Sequence, residues 1–211
     1  MKARWALRLS LLPLACLVVL ALALLQARQS VAVPGSTASS AHQSNLQGTD
    51  LGGTPAPDFR LTDQFGKQVL LSQFRGKPVV LTFLFTHCPN VCPLTAEKLH
   101  ATMLDLSSDA QRVAVLAVTT DPKRDTLASA LAFSKVHHME DYWHFLIGTH
   151  DAVAPIWSSY GVYAQTGSTY STTTYSLAVY VIDKQGRERV FLNNDFTSAE
   201  LKADLEVLLH E

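Results

Sequence analysis

The sequence predicts an α/β fold, a central mixed β-sheet flanked by helices on both faces. Three observations predict it. Residues 78–85 and 113–118 are short apolar runs without polar alternation, the pattern of strands buried on both faces in a parallel sheet. Residues 94–106 and 125–136 follow these runs with helical spacing, marked by Leu99, Met103 and Leu106 in the first and by Leu127, Ala130 and Leu131 in the second. Strands that alternate with helices must bury a sheet between helical layers.

The elements follow in order. Lys2, Arg4 and Arg8 precede an apolar run over residues 9–25. This is a secretory signal or an uncleaved membrane anchor, close to the lower limit of about 17–20 residues for a bilayer span. Ser30-Val31-Ala32 offers a small-residue cleavage site, and Cys16 reads as a small buried residue of the membrane segment. The basic end stays cytoplasmic and the remainder is exported, which puts the folded domain on the periplasmic side of the cell membrane. The predicted organisation is signal or anchor over 1–28, flexible linker over 29–54 and folded domain over 55–211. The tether itself, residues 33–57, is rich in Gly, Ser, Thr, Ala and Pro, and such a chain spans roughly 25–30 Å on average.

Within the domain, residues 59–62 and 69–71 flank Asp63-Gln64-Phe65-Gly66-Lys67 and predict a hairpin. After the strand at 78–85, Pro93 suits the first turn of a helix, where a missing N–H costs nothing. A strand is expected at 143–148, a helix at 151–160 and a strand at 177–182. The turn Asp183-Lys184-Gln185-Gly186 returns that strand as 189–192, a hairpin that closes one edge of the sheet. Thr197 and Glu200 form a capping box for a last helix ending at His210.

The chain has 211 residues and a formal net charge of −1, and no Lys/Arg run suggests a nucleic-acid partner. Two of its three cysteines lie outside the membrane segment, in Cys88-Pro89-Asn90-Val91-Cys92-Pro93, at a strand-to-helix turn. A loop so short removes little chain entropy, so a disulfide here would staple weakly and chemistry is the better reading. At helical i,i+4 spacing the two Cα atoms would lie roughly 6 Å apart, inside the disulfide window of about 4.4–6.8 Å. The same spacing lets two thiolates grip one Cu(I), a soft ion. A helix N-terminus favours either use by stabilising the thiolate. With thiols at the first major βα turn, the arrangement is thioredoxin-like. It departs from standard thioredoxins in having three residues between the cysteines and no proline after Pro155. Thr86 stands one position too close to Cys88 for a peroxiredoxin.

Thr86-His87-Cys88-Pro89-Asn90-Val91-Cys92-Pro93 resembles the signature of the Sco/SenC family. So do Ala56-Pro57-Asp58-Phe59, Thr120-Asp121-Pro122-Lys123-Arg124-Asp125-Thr126 and the stretch from Val179 through the turn to Arg187. The resemblance implies a membrane-tethered, thioredoxin-fold protein that serves assembly of a cytochrome c oxidase copper centre. It implies Cys88 and Cys92 as redox-active residues, and as ligands of copper, Cu(I) or Cu(II), together with a histidine just before the strand at 177–182. Here that position matches Tyr175, a hard phenol poorly suited to Cu(I). Two functions follow: thiol–disulfide redox maturation of the copper centre, an oxidoreductase activity that needs no cofactor, or a Cu(I) metallochaperone that uses the two cysteines and a substitute third ligand. The implied partner is the oxidase's copper-site subunit or another copper or thiol assembly protein.

Several further residues carry paired readings. His87 is a thiolate promoter or an exposed neighbour, and adjacent residues in extended chain point oppositely. His137, His138, His144 and His150 are loose candidates for a substitute ligand. Asp121, Arg124 and Asp125 form a helix cap with an ion pair or a lip of the thiol site. Tyr170, Tyr175, Tyr180 and Trp157 could build a docking face, although Tyr180 inside a strand reads as core.

Overall fold

The computed structural model describes residues 45–166, 173–175 and 178–211. The predicted membrane segment at 9–25 lies outside them. Among the described residues no helix is long and apolar enough to cross a membrane. They belong to one compact unit, Ser44–Glu211.

That unit is built on a six-stranded sheet in the order β1-β10-β9-β4-β5-β6. At its centre, β4 (Val79–Leu84) and β5 (Ala114–Thr119) are buried at every position, as the unbroken apolar runs require. They run parallel, with Leu81 opposite Leu116, and β6 (Trp143–Leu146) continues the parallel half. The other half is antiparallel: β9 (Val179–Ile182) pairs with β4, β10 (Arg187–Leu192) with β9, and β1 (Thr49–Pro55) with β10. Alternate residues of β4 feed two cores. Val80 and Leu84 join Leu99, Met103, Leu201 and Leu205 on one face, and Leu81 and Phe83 join Val69, Val153 and Ile156 on the other. The first face is covered by α1 (Val91–Leu106) and α4 (Ser198–His210), with Ala130 and Phe133 of α2 (Leu127–Val136) in the same core. The second is covered by α3 (His150–Ser159) and the hairpin of β2 (Arg60–Thr62) and β3 (Gln68–Leu70).

The structure corrects the sequence reading in two places. Thr49–Pro55 is an edge strand where composition predicts tether, so the predicted β9–β10 hairpin does not form the edge of the sheet. Its residues are all exposed or half-buried, so it buries no apolar stripe that a pattern could reveal. A further small hairpin, β7 (Ala164–Thr166) with β8 (Thr173–Tyr175), pairs Ala164 with Tyr175.

At the opposite edge, β6 is blunted by a side chain. Gln64, buried in the β2–β3 turn, donates to the Trp143 carbonyl at 3.0 Å and accepts the Phe145 N–H at 2.7 Å. One carboxamide thus takes up two edge groups of β6 that a neighbouring strand would otherwise pair. Thr62 and Ile147 extend the same closure through reciprocal backbone bonds.

Candidate thiol and copper site

The site forms where β4 gives way to α1. Thr120 donates its N–H to the Leu84 carbonyl at 2.8 Å, which locks the ends of β4 and β5 together. The chain then turns through Phe85, Thr86 and His87, and the Cys88 N–H returns to the Phe85 carbonyl at 3.3 Å. Asn90 is the N-cap by position, but its side chain makes no capping bond. Instead the N–H of Cys92, the second residue of α1, donates to Cys88 Sγ at 3.3 Å. The sulfur of Cys88 therefore takes up one of the helix's first N–H groups, the place where a side-chain oxygen usually serves. Pro93 occupies the first turn as predicted, where no donor is lost.

Cys88 precedes the helix, so the two cysteines do not share a helical turn. The turn itself brings Cys88 Sγ onto the backbone of Cys92. Cys88 keeps 7% exposure and Cys92 none. The oriented N–H and the positive end of the α1 dipole both favour the thiolate at Cys88.

A buried carboxylate holds the turn before Cys88. Asp125 accepts the Thr86 N–H at 3.0 Å and the Thr86 hydroxyl at 2.6 Å on one oxygen, and the Thr119 hydroxyl at 2.6 Å on the other. Burial pushes its pKa up, and the bonds from Thr119 and Thr86 oppose that shift. Thr86 also meets His87 Nδ1 at 3.0 Å, and that nitrogen lies 3.8 Å from Asp125. Asp125 thus holds Thr86, two residues before Cys88. The cap of α2 is Thr126, whose hydroxyl accepts the Ser129 N–H at 3.1 Å. Asp121 pairs with Arg124, and the Arg124 guanidinium lies 5.9 Å from the centre of the Phe85 ring. Sequence reasoning missed Thr119, whose hydroxyl links Asp125 to the Asp121 backbone N–H at 3.0 Å. No spacing rule flags a strand-end threonine.

Of the other expected residues, His144, His150 and Tyr180 are engaged elsewhere. His144 lies on the hairpin face, its Nδ1 2.9 Å from the buried Asp63. His150 packs against Trp157, whose indole N–H reaches the Thr119 carbonyl at 3.0 Å. His137 and His138 end α2. Tyr180 is half-buried against the core, donating to the Tyr160 carbonyl at 2.5 Å and packed against Phe83 and Phe191. Tyr175 ends β8 by its backbone, while its side chain and all of Tyr170 lie outside the described residues. Among the described residues, no three His, Cys, Asp or Glu side chains stand together so as to hold a metal. What the site offers copper is a pair of soft, buried thiols, a donor set that fits Cu(I).

The SCO1/SenC family profile matches residues 48–210. The chain is 33% identical over 135 residues to the mitochondrial SCO2 homolog of Bos taurus, which covers 61% of this chain and 50% of that protein. The chain thus spans about half the length of this curated relative. Copper-bound ScoI of Bradyrhizobium japonicum superposes with a TM-score of 0.67 at 31% identity, over 74% of this chain and all of that one. Apo Sco1 of Thermus thermophilus does so with a TM-score of 0.66 at 34% identity, over 78% and 97% of the two chains. The mixed sheet between helical layers is accordingly thioredoxin-like, and the chain belongs to the SCO1/SenC family.

Proposed function

We propose that this chain is a membrane-tethered, exported protein that acts through Cys88 and Cys92 in the thiol–disulfide maturation of a cytochrome c oxidase copper centre. The Sco family acts in cytochrome c oxidase copper assembly. The observation that carries the redox reading is the Cys92 N–H aimed at Cys88 Sγ, a hydrogen bond available to a thiolate there. Cys88, the more accessible thiol, attacks a disulfide of the target and forms a mixed disulfide, releasing one target thiol. Cys92, as its thiolate, then attacks Cys88 Sγ. This closes the Cys88–Cys92 disulfide and releases the second target thiol. Two electrons pass to the target, and the two protons of the dithiol end on the target thiols. Residues 9–25 hold the chain at the cell membrane, with the folded unit on the periplasmic side.

Redox titration with thiol trapping tests the proposal. The pair should pass reversibly between dithiol and disulfide as the glutathione ratio is changed. If it remains trapped as thiols under strong oxidant, the redox reading fails.

A second reading, Cu(I) carriage, is supported by the two thiols at one turn and by the copper-bound relative. The third ligand would be a substitute for the family histidine. His87 is the histidine placed at the thiol turn, whereas His144 is engaged by Asp63 on the other face. Competition of the reduced chain with a chromophoric Cu(I) chelator, before and after His87→Ala, measures this reading directly.

A further inference from the structure

Away from the thiols, a second cluster of donors joins α1 to the end of α2. His100 projects from α1, and its ring centre lies 5.7 Å from that of His138 and 5.7 Å from that of Tyr142. His138 follows the C-cap of α2 with φ of 55°, the left-handed region. Its N–H returns to the Lys135 carbonyl at 3.1 Å, and the Met139 N–H to the Ser134 carbonyl at 2.8 Å. This is the helix-ending turn in which glycine, lacking a Cβ, is the favoured residue. The chain instead places an exposed imidazole there, its ring beside a second imidazole. Glu97 lies one turn before His100 on α1, and both it and His138 act electrostatically on His137.

We propose that His100 and His138 form a two-imidazole clip for a borderline divalent cation, Cu(II) being the best fit. Imidazole is a good ligand for Cu(II), Ni(II) and Zn(II), and Cu(II) binds tightest in that series. Two imidazoles on one ion at about 2.0–2.1 Å put their ring centres about 4.5–6.4 Å apart, depending on the angle at the metal. The observed 5.7 Å falls inside that range. Solvent fills the remaining positions, since the described residues bring no third ligand into place. His137 is excluded because its ring packs on Phe133 with centres 4.4 Å apart. The clip stands eight residues from Cys92 along α1, or about 12 Å, so it is a site separate from the thiols.

The test uses the full chain in mild detergent with Cys16, Cys88 and Cys92 all changed to Ser, which removes thiol binding and thiol oxidation. Cu(II) is titrated in competition with glycine, and the bound ion is read by electron paramagnetic resonance. The expected result is one Cu(II) with nitrogen hyperfine structure, weakened at least tenfold by His100→Ala and by His138→Gly. His138→Gly should also raise the thermal midpoint, because glycine suits the left-handed turn, so its loss of binding would not reflect unfolding. A loss below threefold in either variant, or bound Cu(II) without nitrogen structure, overturns the clip. Because the thiols are absent throughout, either result leaves the thiol–disulfide reading where it stands.

Discussion

Cys88 and Cys92 differ in exposure and in what their neighbours do to them. Cys88 receives the Cys92 N–H and retains an opening to solvent, while Cys92 has none. Cys92→Ser should therefore still accumulate a mixed disulfide with an added dithiol-disulfide probe, and Cys88→Ser should not, as read by intact-mass spectrometry. If Tyr175 stands at the family's histidine position, as the resemblance implies, Tyr175→His adds an imidazole there, and Cu(I) affinity should rise about tenfold, roughly 1.4 kcal/mol, with disulfide formation unchanged. Asp125 bears on pH. Its burial raises its pKa, so the folded chain holds a proton at pH values where the unfolded chain has lost it. Stability from this group is greatest below the unfolded carboxylate value of about 3.9, falls as pH rises through the raised folded value, and is flat beyond it. Asp125→Asn cannot ionise and can still accept from Thr86. Urea midpoints measured from pH 4 to 8 should lose that part of their slope in the variant.

At the level of elements, the ends decide more than the middles. Gln64 stands in for a strand beside β6, and Gln64→Leu leaves the buried Trp143 carbonyl and Phe145 N–H without that partner. The loss should be about 1–3 kcal/mol in denaturant unfolding, with added self-association through the opened edge. On α4, Thr197 accepts the Glu200 N–H at 3.2 Å while Glu200 accepts the Thr197 N–H at 2.7 Å, the reciprocal box that the sequence predicts. Local patterns of this kind, a cap, a turn, a helical stripe, were readable because residues a few positions apart suffice to make them. The cap of α1 was not, since its acceptor is a sulfur from outside the helix. Nor was β1. Gly52 and Gly53, with φ of 73° and 80°, bend it, and a ladder to β10 rather than an apolar face holds it in place.

For the whole molecule, the consequence of β1 is that the folded unit starts earlier than composition indicates. Gln47 and Gly48 donate their N–H groups to the buried Asp204 of α4 at 2.5 and 3.1 Å. Gly48 is also pressed on β10, where a Cβ would come within 2.8 Å of the Phe191 carbonyl. A chain beginning at Ala56 loses β1 and leaves Asp204 buried without these donors, and should be less stable than one beginning at Asn45 by about 2 kcal/mol or more, read from urea unfolding. For residues 9–25, fractionation with salt and carbonate washes should leave the chain in the membrane, whereas a soluble mature form would identify a cleaved signal.

The sequence by itself determined the fold class, the strand-to-helix position of the two cysteines and the resemblance to a copper-assembly family. Each is encoded locally, in an apolar run, a periodic stripe or a contiguous motif. Only the tertiary structure decided that Asp125, rather than Asp121, holds Thr86, and that His144 is engaged by Asp63. It also decided that His100 meets His138, from helices that the sequence separates by more than a strand. The reason is physical. A hydrogen bond from Thr86 to Asp125, or a ring contact between two helices, depends on how distant segments pack on a shared sheet, and the residue types alone carry no record of that distance.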